Sequence, residues 1–179
     1  MDANEPLDLI FIGDSLMEYF DWAARLPFHR VANLGVSGET VSWLLERILR
    51  VTGAHPKADV VFIQSGINDV SMDETSIAGP YRAVVDALRA AYPDARIVVT
   101  SLLPTLLPWL KPEVIDLLNS RLRSMASEAG QSVDFLDVHR EFMAHGNLAD
   151  LLMPDGIHVS EHGYEVWAEM VEQYLNTSL

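Results

Sequence analysis

The chain has no cysteine, which excludes disulfides, thiolate metal centres and a cysteine nucleophile. Basic side chains are also scarce: 12 Lys and Arg face 26 Asp and Glu, a formal net charge of −14 and a pI near 4.6. Such a field repels phosphate backbones and anionic lipid surfaces, so no nucleic-acid partner is expected. No apolar run approaches the roughly 18 residues that a membrane span requires. The opening Met1-Asp2-Ala3-Asn4-Glu5-Pro6 lacks the basic region of a signal peptide, and the expectation is a cytoplasmic protein. Internal repeats, low-complexity tracts and linkers are likewise missing from the sequence.

What is present is a globular composition, with 49% hydrophobic and 21% charged residues in 179. That length suits one domain, expected over 1–179, with a sizeable core. Apolar runs of strand length at 7–12, 31–34, 59–64, 95–100 and 132–138 alternate with segments of helical period. Val41, Leu44, Leu45, Ile48 and Leu49 make one such face, closed by Gly53 and Pro56. A second helix is expected from Pro80, with Tyr81, Val84, Val85 and Leu88 inward, and a third from Pro112 to Ala129. Gly130 stops that third helix. Residues 101–109 resist a regular assignment, 139–154 read as loosely structured, and Ser160 caps a last helix with Tyr164, Trp167, Met170, Val171 and Tyr174 on its face. Strands joined by connections too long for hairpins predict a parallel sheet covered on both faces.

In such sheets ligands collect beyond the carboxyl ends of the strands. That edge gathers Ser15 after the first strand, Gly38 after the second, Asn68 after the third, and Asp155 and His158 before the last helix. A serine hydroxyl needs a base to become a nucleophile, and His158 is the candidate, since imidazole titrates near working pH. Asp155, three residues earlier, can aim its carboxylate at the other ring nitrogen and hold the tautomer. The N–H groups of Ser15 and Gly38 and the amide of Asn68 can serve a tetrahedral oxyanion. Together these residues describe acyl transfer to water, and the apolar segment 102–110, with Leu103 and Trp109, is the candidate substrate wall.

Four ordered motifs also resemble a known family. Gly13-Asp14-Ser15-Leu16, Asn33-Leu34-Gly35-Val36-Ser37-Gly38-Glu39-Thr40, Gly66-Ile67-Asn68-Asp69 and Asp155-Gly156-Ile157-His158 are similar, in order, to the blocks of the GDSL, or SGNH, hydrolases. The resemblance implies a three-layer α/β/α sandwich of flavodoxin-like type around a five-stranded parallel sheet. It implies esterase, lipase, thioesterase or carbohydrate-deacetylating activity on a small-molecule ester, without a cofactor. The Gly-x-Ser-x-Gly elbow of the α/β-hydrolases is absent around Ser15.

Plainer readings stand beside these. Asp14 suits backbone bonding, Ser37 a helix cap, and Asn68 and Asp69 a turn. Asp137 with His139 forms a rival acid–base pair, and His158 with His162 a metal pair if both lay on a helix. Trp22, Trp43, Trp109 and Trp167 read as core or pocket wall. A binding module without catalysis is the alternative from another class, although a binder needs neither a base nor its orienter. The acidic surface leaves the oligomeric state open.

Overall fold

The computed structural model describes residues 5–178. Five parallel strands form one sheet: β1 (Asp8–Gly13), β2 (Arg30–Gly35), β3 (Val60–Gln64), β4 (Arg96–Thr100) and β5 (Val133–Leu136), in the order β2-β1-β3-β4-β5. The connections are α1 (Ser15–Glu18) and α2 (Trp22–Arg25) after β1, then α3 (Val41–Ala54) after β2. α4 (Ile67–Ser71) and α5 (Ala78–Ala91) follow β3, and α6 (Pro112–Ala129) follows β4. After β5 come α7 (Val138–Ala144) and α8 (Glu161–Thr177).

β1, β3 and β4 are buried on both faces, as a sheet covered by two helical layers requires. Their side chains alternate between those layers. Phe11 and Phe62, paired in register, stack at 4.8 Å between centroids. Phe11 also stacks on Trp22 of α2 at 4.3 Å, and Phe62 meets Tyr174 of α8 edge-on at 5.8 Å. Trp22 and Trp167 complete this aromatic layer in a T-shaped contact. On the opposite face Tyr81 of α5 donates its hydroxyl to the carbonyl of Ile63. The result is an α/β/α sandwich.

Several expectations need adjustment. α5 begins at Ala78, not Pro80; Pro80 falls in the first turn, where its missing N–H has no helical acceptor to lose. α3 buries Val41, Leu44, Ile48 and Val51, leaves Leu45 half-buried and turns Leu49 out to 78% exposure. It also runs through Gly53 to Ala54. Met170 is only half-buried on α8. β5 covers 133–136 only, because the Asp137 side chain accepts from the N–H of Arg140 and starts α7 where a loose segment was expected. Residues 67–71 form a short helix, not the turn that Asn68 and Asp69 suggest. Trp22 and Trp167 are buried, whereas Trp43 and Trp109 are exposed by more than half.

Phe11→Ala should lower folding stability by about 3–5 kcal/mol, since it empties the centre of the aromatic layer. Chemical denaturation checks this, and a loss below about 1 kcal/mol would mean that the layer collapses around the gap.

Candidate active site

The geometry begins where β1 ends. A Cβ on Gly13 would lie 1.7 Å from the carbonyl oxygen of Gln64 in β3, so only glycine lets the two strands close there. The chain then bends at Asp14, which caps α1: its Oδ1 accepts from the N–H of Leu16 at 3.0 Å. Ser15 opens the helix and is 5% exposed. Across the edge, residues 151–160 form a pinned turn. Leu152 and Val159 make an antiparallel bridge, Met153 N donates to His158 O at 2.7 Å, and Leu106 N donates to Gly156 O at 2.8 Å. Ser160 caps α8 by accepting from the N–H of Gly163.

These two pieces bring three side chains into line. Ser15 Oγ lies 3.1 Å from His158 Nε2, and His158 Nδ1 lies 2.7 Å from Asp155 Oδ2. The other oxygen, Asp155 Oδ1, accepts from the N–H groups of Ile157 and His158, both at 2.9 Å. What burial Asp155 has resists ionisation, but the hydrogen bonds from Ile157 and His158 win and draw its carboxyl down to about 2. A hydroxyl held against an imidazole whose far nitrogen meets a permanent carboxylate can pass its proton to the ring. The face of that ring carries Tyr19, stacked at 5.2 Å and 26°.

The neighbouring loops are built from backbone and side chain together. In β2, Asn33 donates to the carbonyls of Met17 at 2.9 Å and Phe20 at 3.0 Å, and so ties the α1–α2 turn to the sheet. Ser37 bonds Glu18 through both its N–H and its hydroxyl, and Thr40, not Ser37, caps α3. Gly38 has φ +77, a left-handed backbone that glycine adopts without strain. Glu39 is 3% exposed and ion-paired with Arg47, which also donates to the carbonyl of Leu34 at 2.8 Å. The Glu39 carbonyl in turn accepts from Asn68 Nδ2 at 2.9 Å, and Asp69 Oδ2 accepts from the N–H of Val41 at 3.0 Å. The Gly38 and Asn68 loops are thereby joined. Among the described residues the N–H groups of Ser15 and Gly38 have no protein acceptor.

Comparison with known proteins follows this geometry. A model of the GDSL-like lipase/acylhydrolase family matches residues 11–166. The chain belongs to that family. Its relatives include the platelet-activating factor acetylhydrolase IB subunit alpha1 of Bos taurus, 28% identical over 170 residues that span 90% of this chain and 71% of the relative. A solved structure from Streptococcus pneumonia superposes with a TM-score of 0.82 at 26% identity, covering 98% of this chain and 86% of that one. An acetylxylan esterase from Geobacillus stearothermophilus shares the fold with a TM-score of 0.80 at 20% identity, over 98% and 96% of the two chains. Family and relatives identify an ester hydrolase.

The other candidates fall elsewhere. Asp137 pairs with Arg123, and His139 Nε2 lies 3.6 Å from Asp116, so these two do not form the rival pair. Both ring nitrogens of His158 are engaged by Ser15 and Asp155, while His162 packs edge-on against His145 at 4.9 Å. Leu103 is 2% exposed in the core, and Trp109 lies on the surface. Leu106, between them, touches the Asp155–His158 turn at Gly156. Tyr19 beside His158, the Asn33 tie to the α1–α2 turn and the Glu39–Arg47 pair emerge only from the structure. An aromatic four residues after the serine was the one visible signal, since that spacing returns a side chain to the same helical face.

Asp14 differs from Asp155 in burial and in the direction of its shift. It is fully buried, its Oδ2 has no partner among the described residues, and burial, with the charges of Glu39 and Asp69 nearby, pushes its carboxyl up to about 7. The folded chain therefore holds a proton that the unfolded chain releases near pH 4, and stability falls as pH rises from about 4 to 7. The penalty above that range is on the order of 4 kcal/mol. In Asp14→Asn the thermal midpoint relative to wild type should climb between pH 4 and 7 and then level off. A difference that stays constant across that range would mean that Asp14 does not titrate there.

Proposed function

We propose that the chain is a serine esterase that hydrolyses small acyl esters through an acyl-enzyme, with Ser15 as nucleophile, His158 as base and Asp155 as its orienter. The observation that carries this reading is the unbroken Ser15–His158–Asp155 line, at 3.1 and 2.7 Å. As Ser15 Oγ attacks the ester carbonyl, its proton moves to His158 Nε2. The imidazolium so formed is stabilised by a carboxylate that is ionised throughout the neutral range. Collapse of the tetrahedral intermediate expels the alcohol, which takes the proton from His158. Water then enters by the same route and releases the acid.

The developing oxyanion is held by the N–H groups of Ser15 and Gly38 and by Asn68. Asn68 has two amide protons, and the one donated to Glu39 fixes the plane of the amide. The second proton is then oriented before substrate arrives, which is the condition under which such a donor counts most. Glu39 and Arg47 contribute by holding the carbonyl that sets this plane.

Acetyl esters are the first substrates to test. The bovine relative is named as an acetylhydrolase, and the Geobacillus structure, alike in fold, as an acetylxylan esterase. The alcohol on the other side of the ester is separated by comparing acetylated xylo-oligosaccharides with acetylated glycerophospholipids.

Ser15→Ala should abolish hydrolysis of p-nitrophenyl acetate and covalent labelling by a fluorophosphonate. Asn68→Ala should lower kcat by roughly a hundredfold or more, about 3 kcal/mol of transition-state stabilisation, with the fold intact by circular dichroism. Turnover that survives Ser15→Ala would remove the nucleophile, and near-normal turnover in Asn68→Ala would take that amide out of the site.

A further inference from the structure

We infer that Tyr19 is a positioning residue for His158, holding the imidazole by its face and favouring the charged form that arises during attack. The inference rests on the serine-esterase reading. His158 has two in-plane partners, Ser15 at Nε2 and Asp155 at Nδ1. Both bonds lie at the ring's edge, and together they leave a swing of the ring about the line joining them unopposed. Tyr19 supplies the missing restraint, because its ring lies over the imidazole at 5.2 Å between centroids and 26° between planes.

Tyr19 is 58% exposed, so burial in the core does not account for where it stands. Its backbone, by contrast, is fixed. Tyr19 is the residue that ends α1, and its N–H donates to the carbonyl of Ser15 at 3.0 Å. The α1 turn is tied to the sheet by Asn33 and to α8 by the Tyr164 hydroxyl, which donates to the carbonyl of Leu16 at 2.9 Å. The same short turn that presents the serine therefore presents the ring that covers the histidine, and the two cannot drift apart.

The chemistry follows from the charge of an aromatic face. Its centre is electron-rich and attracts a cation lying above it. His158 is neutral before attack and carries a positive charge once it has taken the proton from Ser15 Oγ. The contact is thus stronger in the transition state than in the resting enzyme, which is the kind of interaction that raises turnover and not merely binding. Tyr19 itself neither gives nor takes a proton.

Two replacements test this. Tyr19→Phe keeps the aromatic face and removes the hydroxyl, and Tyr19→Leu keeps apolar bulk and removes the face. The readouts are kcat and KM for p-nitrophenyl acetate, and the second-order rate of fluorophosphonate reaction at Ser15, which needs no knowledge of the natural substrate. The phenylalanine variant should stay within about twofold of wild type. The leucine variant should lose about three- to tenfold in kcat and in labelling rate, the range of a partly exposed cation–aromatic contact, with KM and thermal midpoint unchanged. Tyr19→Gln gives the same comparison if the leucine variant aggregates. Wild-type rates in the leucine variant would overturn the inference, as would equal losses in both variants or a loss confined to KM. A wild type inert to both reagents would instead overturn the esterase reading itself, whereas a reactive wild type with an indifferent leucine variant overturns the role of Tyr19 alone.

Discussion

The edge of the sheet that carries Ser15 depends on the contact between Gly13 and the backbone of Gln64. With a carbonyl oxygen where any other residue would carry its Cβ, β1 and β3 approach closely enough for the Asp14 N–H to reach the Gln64 carbonyl at 3.3 Å. That bond turns the chain sharply out of the sheet. Asp14 then caps a single helical turn, and Ser15 arrives at the rim in one orientation. Val36 N donates to the carbonyl of Gly13 at 2.8 Å on the other side, so the loop carrying Gly38 hangs from the same residue. A glycine without a functional group thus sets the starting point for two of the loops that make the site.

Three carboxylates near this edge have different fates, and environment alone separates them. Asp155 stands in the open with two backbone N–H groups and an imidazole as donors, and stays ionised. Asp14 is sealed off with one donor and an orphaned oxygen, and is held near neutrality. Asp69 is raised too, by burial, against the bond it accepts from Val41. The lowered carboxyl is the one beside the imidazole, and the two raised ones accept from the backbone.

Much of this was legible in the residues. The alternation of strand-length and helix-length apolar periods specifies a parallel sheet, and its carboxyl edge sorts Ser15, Gly38, Asn68, Asp155 and His158 from the other polar residues before any geometry is known. What escaped has physical causes. α4 and α7 are only five and seven residues long, too short for a period to register, and α7 is decided by one cap at Asp137. Leu49 fits a helical stripe by spacing, yet points away because α3 buries the row through Val41, Leu44, Ile48 and Val51. Tyr19, Asn33 and Arg47 act on neighbours that are distant in sequence or bonded through backbone carbonyls, and no local pattern encodes a carbonyl's direction.

The hydrogen bond between Ser15 and His158 spans 143 residues of chain, and the Tyr19 ring crosses the same gap. Asp155 and His158, by contrast, are bonded to each other and to the backbone of their own turn, which Leu106 braces from outside. The candidate site is therefore two separately braced halves that meet across a narrow seam. Wear by mutation divides the same way: substitutions in the turn before α8 alter one half, and substitutions around β1 alter the other.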